Sequence, residues 1–194
     1  LEELQQADIG SWFDPGFADQ RIPTLESVLA LCRGRIRVNI ELKYYGRQVR
    51  LEERVAEIVD AAGMADQVVV LSLSLPGIRA MQGLRPDWTT GLLSSVAVGD
   101  IAALDVDFLA LNAKTPSRHL IRRLHQAGKK VMVWTVNDPM GAATMAVRGA
   151  DVIITDEPAM AVDLLLQWEQ LQPSERLLLQ LAALFQKPSL YRDQ

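Results

Sequence analysis

The segment Ile36-Arg37-Val38-Asn39-Ile40-Glu41-Leu42-Lys43 carries the strongest structural signal in the sequence. Apolar and polar residues alternate strictly along it, which predicts a β-strand with two chemically different faces. Strands of a parallel sheet are covered on both faces and are normally apolar throughout. A polar face is explained if the strand belongs to a βα barrel, because there one face meets the helices and the other lines the lumen. An edge strand with one face in solvent is the alternative.

Five more strand candidates follow, separated by segments of helical period. The six predicted strands are Ile36–Lys43, Val68–Leu73, Thr89–Leu93, Asp107–Asn112, Val131–Val136 and Val152–Thr155. Regular strand–helix alternation predicts a parallel sheet, in either an open doubly wound fold or a barrel. None of the 12 glycines forms a G-x-G-x-x-G or P-loop motif, so an open nucleotide-binding domain is the least favoured interpretation.

The composition excludes several classes of protein. The 194 residues are 49% apolar and carry a net charge of −4, with scattered basic residues, so we expect no nucleic-acid binding. No apolar stretch reaches the ~18 residues of a membrane span. Cys32 shares a predicted helix face with Leu25, Val28 and Leu29 (spacing i, i+3, i+4, i+7), which indicates a buried, unreactive thiol.

Three segments contain candidate functional residues. Glu41 and Lys43 would point into a barrel at the carboxyl end of the first strand, where barrel enzymes place their chemistry, and could together hold a divalent cation and a phosphate oxygen. Trp134, near the end of a later strand, is by periodicity alone more typical of a core residue than of a substrate contact. Asp156 precedes Pro158 and is predicted to cap the next helix rather than to bind metal.

Together these segments resemble the glycerophosphodiester phosphodiesterase family over roughly residues 10 to 165. The similarity runs through Ile22-Pro23-Thr24-Leu25, Asn39-Ile40-Glu41-Leu42-Lys43, Val133-Trp134-Thr135-Val136-Asn137 and Thr155-Asp156-Glu157-Pro158. It implies a TIM-type (β/α) barrel that hydrolyses a small glycerophosphodiester to glycerol 3-phosphate and an alcohol with a divalent cation, Mg²⁺ or Ca²⁺. It also implies that Glu41 ligates the metal, that Lys43 lies near the phosphate in a catalytic and substrate-binding role, and that Trp134 lines the substrate site.

The sequence departs from the family in one large respect. The family's H-R-G, E-x-D and H-D motifs, which would supply its acid/base histidines and further metal carboxylates, do not occur here. His119 and His125 lie six apart in one predicted helix, so they face different directions and cannot replace that pair. We therefore expect little or no hydrolase activity from this chain alone. The alternative is a catalytically inactive barrel remnant that serves as a binding or assembly module.

The count of strands bears on the extent of the chain. Six strands are predicted, whereas a closed barrel has eight and typically ~250 residues. With no initiator methionine, this predicts the carboxyl-terminal six βα units of a longer protein, with residues 1–165 as an incomplete barrel domain and residues 166–194 as a helical tail. Oligomeric state and location stay open; a cytoplasmic or membrane-associated protein is favoured, with membrane contact through an amino-terminal part not contained in this sequence.

Overall fold

The computed structural model describes residues 2–46, 50–95 and 99–170, with Gln172 and Ser174 beyond them. In this part of the chain six strands alternate with helices. The strands are β1 Val38–Leu42, β2 Val68–Ser72, β3 Thr90–Ser94, β4 Phe108–Asn112, β5 Lys130–Trp134 and β6 Val152–Ile153. The α-helices are α1 Glu2–Gln6, α2 Leu25–Cys32, α3 Leu51–Ala62, α4 Leu75–Leu84, α5 Arg118–Gln126, α6 Pro139–Arg148 and α7 Pro158–Gln170.

The strands form one parallel sheet in chain order, β1-β2-β3-β4-β5-β6. An open doubly wound sheet contains a point where the strand order reverses, and this sheet has none. The structure is therefore an incomplete α/β barrel of six strands, as predicted. Within the described residues no pairing joins β6 to β1, so the sheet is an open arc.

All six predicted strands are present, but their ends differ from the prediction. Ile36 lies outside β1 and is exposed, because its amide donates to the carbonyl of Cys32 and so belongs to the turn that ends α2. At the other edge, β6 is only two residues long. Thr155 lies beyond it, where its hydroxyl bonds the side chain of Asn137.

The sequence predicts a helix start at Thr24 and helix ends at Gly63, Gly128 and Gly149, and α2, α3, α5 and α6 confirm these positions to within two residues. Thr24 caps α2 by accepting a hydrogen bond from the Ser27 amide. Gly63 and Gly149 end α3 and α6 with positive φ angles of 62° and 98°, a conformation that glycine adopts without strain.

The sheet separates two apolar layers. Its convex face packs against the helices through residues such as Leu29, Val59 and Leu111, and Cys32 is buried in this layer as predicted. Its concave face carries a smaller cluster of buried side chains, namely Val69, Leu71, Phe108, Ala110 and Met132. The lumen of the arc is therefore filled by side chains, as in complete barrels.

The tail is described only in part. Helix α7 continues through residue 165 to Gln170, so the boundary predicted between residues 165 and 166 falls inside a helix and stays a prediction. Residues 175–194 of the predicted helical tail lie outside the described residues. No helix in the described ranges is long and apolar enough to cross a membrane.

Replacing Gly91 by alanine tests the filled lumen. The new methyl group would lie 2.5 Å from Leu71 Cδ2 and 2.9 Å from Phe108 Cβ, so we expect the free energy of unfolding to fall by about 1–3 kcal/mol. Gly83→Ala is the control, because its methyl group meets nothing within 4 Å in α4 and should leave stability unchanged or raise it by up to about 1 kcal/mol. Equal urea-denaturation midpoints for the two variants would contradict this packing.

Candidate active site

Glu41 and Lys43 form an ion pair at the carboxyl end of β1. Ile40 and Leu42 are buried under the helices, so the alternation of the strand turns Glu41 to the concave face. Lys43 follows the strand, and its Nζ lies 3.5 Å from Glu41 Oε2. Because both side chains are exposed, the pair adds little to stability and both groups are accessible to a ligand.

A cavity of about 740 Å³ opens beside this pair. Its lining brings together the three residues that the sequence singled out, Glu41, Lys43 and Trp134. The rest of the wall is mostly apolar and includes Leu71, Leu73, Leu93 and Ile154. A ligand in this cavity would place a charged group at the ion pair and less polar atoms against the strands β2 to β6.

From the sequence, Trp134 is either a core residue or a substrate contact, and in the structure it lies both against the core and at the cavity. Its ring packs on the buried cluster of the concave face and also lines the cavity. Its indole Nε1 donates a hydrogen bond of 3.0 Å to the Ala110 carbonyl in the neighbouring strand. The indole is therefore held in one orientation with its polar atom already paired, and it offers the cavity an apolar surface.

Residues that sequence reasoning missed hold the end of β1 in place. Ser72 is fully buried, and its hydroxyl donates to the Leu42 carbonyl at 2.8 Å and accepts from the Ser74 amide at 3.0 Å. Leu42 lies between Glu41 and Lys43, so this bond fixes the backbone that carries both charges. In the sequence Ser72 is a single polar residue within the predicted strand Val68–Leu73, and nothing in that pattern reveals a bond to a residue 30 positions away.

Tyr44 is a second anchor that the sequence did not reveal. Its hydroxyl donates to Glu52 Oε1 in the first turn of α3 at 2.6 Å and packs directly on Gly77 of α4. Burial, together with the hydrogen bond and the charge of Glu52, raises the pKa of Tyr44, so the phenol stays protonated. The residue after Lys43 is thus tied to two helices.

Asp156 does not act as the predicted helix cap. Its carboxylate accepts a 2.8 Å hydrogen bond from Asn137 Nδ2, and Asn137 Oδ1 accepts from the Asp156 amide and from the Thr155 hydroxyl. These bonds join the loops that follow β5 and β6. Helix α7 starts at Pro158, so Glu157 is the residue directly before the helix. Asp156 lies one residue too early to be its N-cap, and its carboxylate bonds Asn137 instead.

The two histidines lie away from the cavity. His125 Nε2 is 2.8 Å from Asp151 Oδ2, and that carboxylate also accepts from the Val131 amide. Asp151 precedes β6, so this cluster marks the amino ends of the strands, opposite to Glu41. His119 is exposed on α5. The prediction that neither imidazole replaces the family's catalytic pair agrees with these positions.

The residues at the cavity fit a divalent cation only in part. A carboxylate oxygen is a suitable ligand for Mg²⁺ or Ca²⁺, and Glu41 provides one. Over the described ranges, however, no group of three or more His, Cys, Asp or Glu side chains is placed to hold a metal ion. Glu41 can therefore serve as one ligand, but these residues alone do not form a complete metal site.

A parallel sheet in chain order, with charged residues at its carboxyl edge, is the arrangement of a βα-barrel protein whose site lies at the carboxyl ends of the strands. The sequence profile described as "Glycerophosphoryl diester phosphodiesterase family" matches residues 1–160. This chain belongs to that family.

Individual relatives agree with the family assignment. The chain is 30% identical over 165 residues to Bacillus subtilis YhdW, provisionally named a glycerophosphodiester phosphodiesterase, and the match covers 81% of the chain and 68% of YhdW. The crystal structure of a Parabacteroides distasonis glycerophosphodiester phosphodiesterase superposes with a TM-score of 0.75 at 22% identity, covering 87% of this chain and 71% of that one. A phosphodiesterase from Oleispira antarctica gives a TM-score of 0.68 at 23% identity, covering 84% and 69%.

The solved structures show the fold alone, because they are under 25% identical to this chain. The chain is also shorter than its relatives, since the matches span between 62% and 71% of the length of the proteins named above and of a Silicibacter pomeroyi homologue. The activity of the whole protein is for this reason a matter of proposal.

Replacing Ser72 by alanine tests how the site is held. The substitution removes a buried hydroxyl that bonds the Leu42 carbonyl, so we expect the free energy of unfolding to fall by about 1–2 kcal/mol. Ser95→Ala removes an exposed hydroxyl and should change stability by less than about 0.5 kcal/mol. Thermal unfolding of both variants measures the difference; a Ser72→Ala variant as stable as Ser95→Ala would show that the bond does not hold the strand end.

Proposed function

We propose that this chain carries part of the binding site of a metal-dependent phosphodiester hydrolase, which cleaves a glycerophosphodiester to glycerol 3-phosphate and an alcohol. One observation carries the proposal: Glu41 and Lys43 lie 3.5 Å apart at the carboxyl end of β1 and open onto the cavity lined by Trp134. The family assignment gives this geometry its reaction class. The ligand would be a small molecule in glycerol and lipid metabolism.

Each of the three residues has a distinct role in this proposal. The Lys43 ammonium would donate to a phosphate oxygen and offset its negative charge. Glu41 would be one oxygen ligand of a divalent cation, which when bound would neutralise phosphoryl charge and lower the pKa of an attacking hydroxyl. Trp134 and the apolar wall would orient the carbon skeleton and exclude water. The Oleispira relative, solved with the product sn-glycerol-3-phosphate, supports a ligand of this size and charge.

Binding and turnover are separable in this chain. General acid–base catalysis needs a titratable group within hydrogen-bond reach of the reacting oxygen, and His119 and His125 are not at the cavity. The family motifs that would bring such groups do not occur in the sequence. We therefore infer that the chain binds phosphate ligands but by itself hydrolyses little or nothing.

A second function fits the same observation. Because the cavity lining contains no imidazole, the chain could act as a catalytically inactive barrel that binds a phosphorylated ligand or serves in assembly. This alternative predicts binding that does not depend on a divalent cation.

Calorimetric titration with sn-glycerol 3-phosphate, with and without Mg²⁺ or Ca²⁺, tests the proposal. A hydrogen bond to a charged group is worth about 1.5–3 kcal/mol, so Lys43→Gln should weaken binding by about tenfold or more. Glu41→Gln should remove the enhancement that the cation gives. Lys129→Gln is the matched control, because it removes the same charge at the amino end of β5 and should leave the affinity unchanged.

Two results would contradict the proposal. Binding that neither Lys43→Gln nor Glu41→Gln changes would place the ligand elsewhere on the chain. Binding that requires Lys43 but is the same with and without the cation would support the inactive binding module.

A further inference from the structure

Three aromatic residues project into solvent from the segment that precedes α2. Trp12 is 81% exposed, Phe13 71% and Phe17 43%. Their rings contact one another: the Trp12 and Phe13 centroids lie 5.8 Å apart edge to face, and those of Phe13 and Phe17 also lie 5.8 Å apart. We call these three residues the aromatic patch.

The backbone beneath the patch is held by its own hydrogen bonds. The Asp8 carboxylate accepts from the amides of Gly10 and Ser11, each at 2.9 Å, and from the Ser11 hydroxyl. Trp12 Nε1 donates to the Ile9 carbonyl at 2.8 Å, so the ring needs no further polar partner. Gly10 packs so closely on Phe17 that no side chain fits there. An ordered turn therefore presents the rings. Because this backbone is already fixed, binding at the patch costs little further conformational entropy.

The topology places the patch on the same side of the barrel as the cavity. Helix α2 begins at Leu25, packs on the convex face through Leu29, and ends at Cys32 shortly before β1 starts. The helix therefore runs opposite to the strand, and its amino end lies at the carboxyl edge of the sheet. Residues 18–24 join the patch to that end, and the Ile9 amide donates to the Gln20 carbonyl, which closes the segment into a loop. The chain path therefore places the patch toward the edge that carries Glu41.

The charges around the patch restrict what can cover it. Residues 8–21 contain Asp8, Asp14 and Asp19 but a single basic residue, Arg21. Hydrogen bonds from the Ser11 hydroxyl and from the Ser11 and Gly10 amides lower the pKa of Asp8 to about 2, so this carboxylate is charged at neutral pH. An anionic surface would be repelled. The ammonium groups at the outer layer of a zwitterionic lipid would instead meet carboxylates while the rings enter the interface, where Trp is favoured.

We propose that the aromatic patch docks on a zwitterionic lipid surface such as phosphatidylcholine. Docking there would turn the cavity side of the barrel toward lipid headgroups, which are themselves phosphodiesters of glycerol. The reason for such docking rests on the proposed function, but the contact itself rests on the exposure, order and charge of residues 8–21. It differs from membrane contact through a segment outside this sequence, because the described residues make it.

Cosedimentation with phosphatidylcholine vesicles tests the docking. The wild-type chain should bind, and the double variant Trp12→Ser/Phe13→Ser should bind about tenfold more weakly because it loses most of the apolar contact. The matched control is Leu31→Ser/Ile36→Ser, which removes two apolar residues that are 66% and 63% exposed at the end of α2 and the turn before β1. This control should bind like the wild type. Replacing part of the lipid by phosphatidylserine should weaken binding.

Four results would overturn the docking proposal. They are no cosedimentation of the wild type, equal losses in both double variants, stronger binding to phosphatidylserine vesicles, and self-association at the patch. The last would appear in analytical ultracentrifugation as a concentration-dependent mass that Trp12→Ser/Phe13→Ser abolishes, and it would assign the patch to a second copy of the chain.

The experiment separates this proposal from the proposed function. Titration of Trp12→Ser/Phe13→Ser with sn-glycerol 3-phosphate should give the wild-type affinity, because the patch does not line the cavity. If the wild-type chain binds sn-glycerol 3-phosphate but does not bind the vesicles, only the docking proposal is refuted. The converse result, vesicle binding without ligand binding, would refute the proposed function and leave the docking in place.

Discussion

The two-residue period of β1 is the constraint on which the rest of this structure depends. Ile40 and Leu42 face the helices, and Asn39 and Glu41 face the lumen. A slip of one residue would bury the Glu41 carboxylate against the apolar layer beneath α2 and α3, and an unpaired buried charge costs several kcal/mol. The same alternation that gives the sheet its register therefore also delivers the carboxylate to the cavity.

The residues that offer charge to a ligand differ from the residues that hold the backbone of the site in place. The charged groups Glu41 and Lys43 are exposed and only weakly coupled, so they remain available to a ligand. Their rigidity comes from neighbours that do not carry charge toward the ligand: Ser72 holds the intervening carbonyl, and Tyr44 ties the following loop to α3 and α4. Around them the lumen is apolar, so a ligand that reaches the cavity meets one small polar region.

The sequence was sufficient for features that depend on local periodicity, and insufficient for those that depend on remote pairs. Six strands, the Thr24 cap and the burial of Cys32 follow from residues within one or two turns of each other. The Ser72–Leu42 bond joins residues that are 30 positions apart, and the Asn137–Asp156 bond joins residues that are 19 positions apart. A local periodic pattern in the sequence therefore cannot predict either bond. The prediction that β1 starts at Ile36 is wrong by two residues. The alternating pattern extends back to Ile36, but the Ile36 amide is hydrogen-bonded in the turn that ends α2.

We propose that this chain binds a glycerophosphodiester at the carboxyl edge of β1 and β5, and that the residues described at this edge do not by themselves support turnover. Nuclear magnetic resonance tests both halves in one sample, with ¹⁵N-labelled protein, Mg²⁺ and glycerophosphocholine. We expect shifts of the Lys43 amide and the Trp134 indole N–H, no shifts at Lys129 near the amino end of β5, and no ³¹P signal of glycerol 3-phosphate. Shifts confined to the amino edge, or release of glycerol 3-phosphate that Glu41→Gln abolishes, would contradict it.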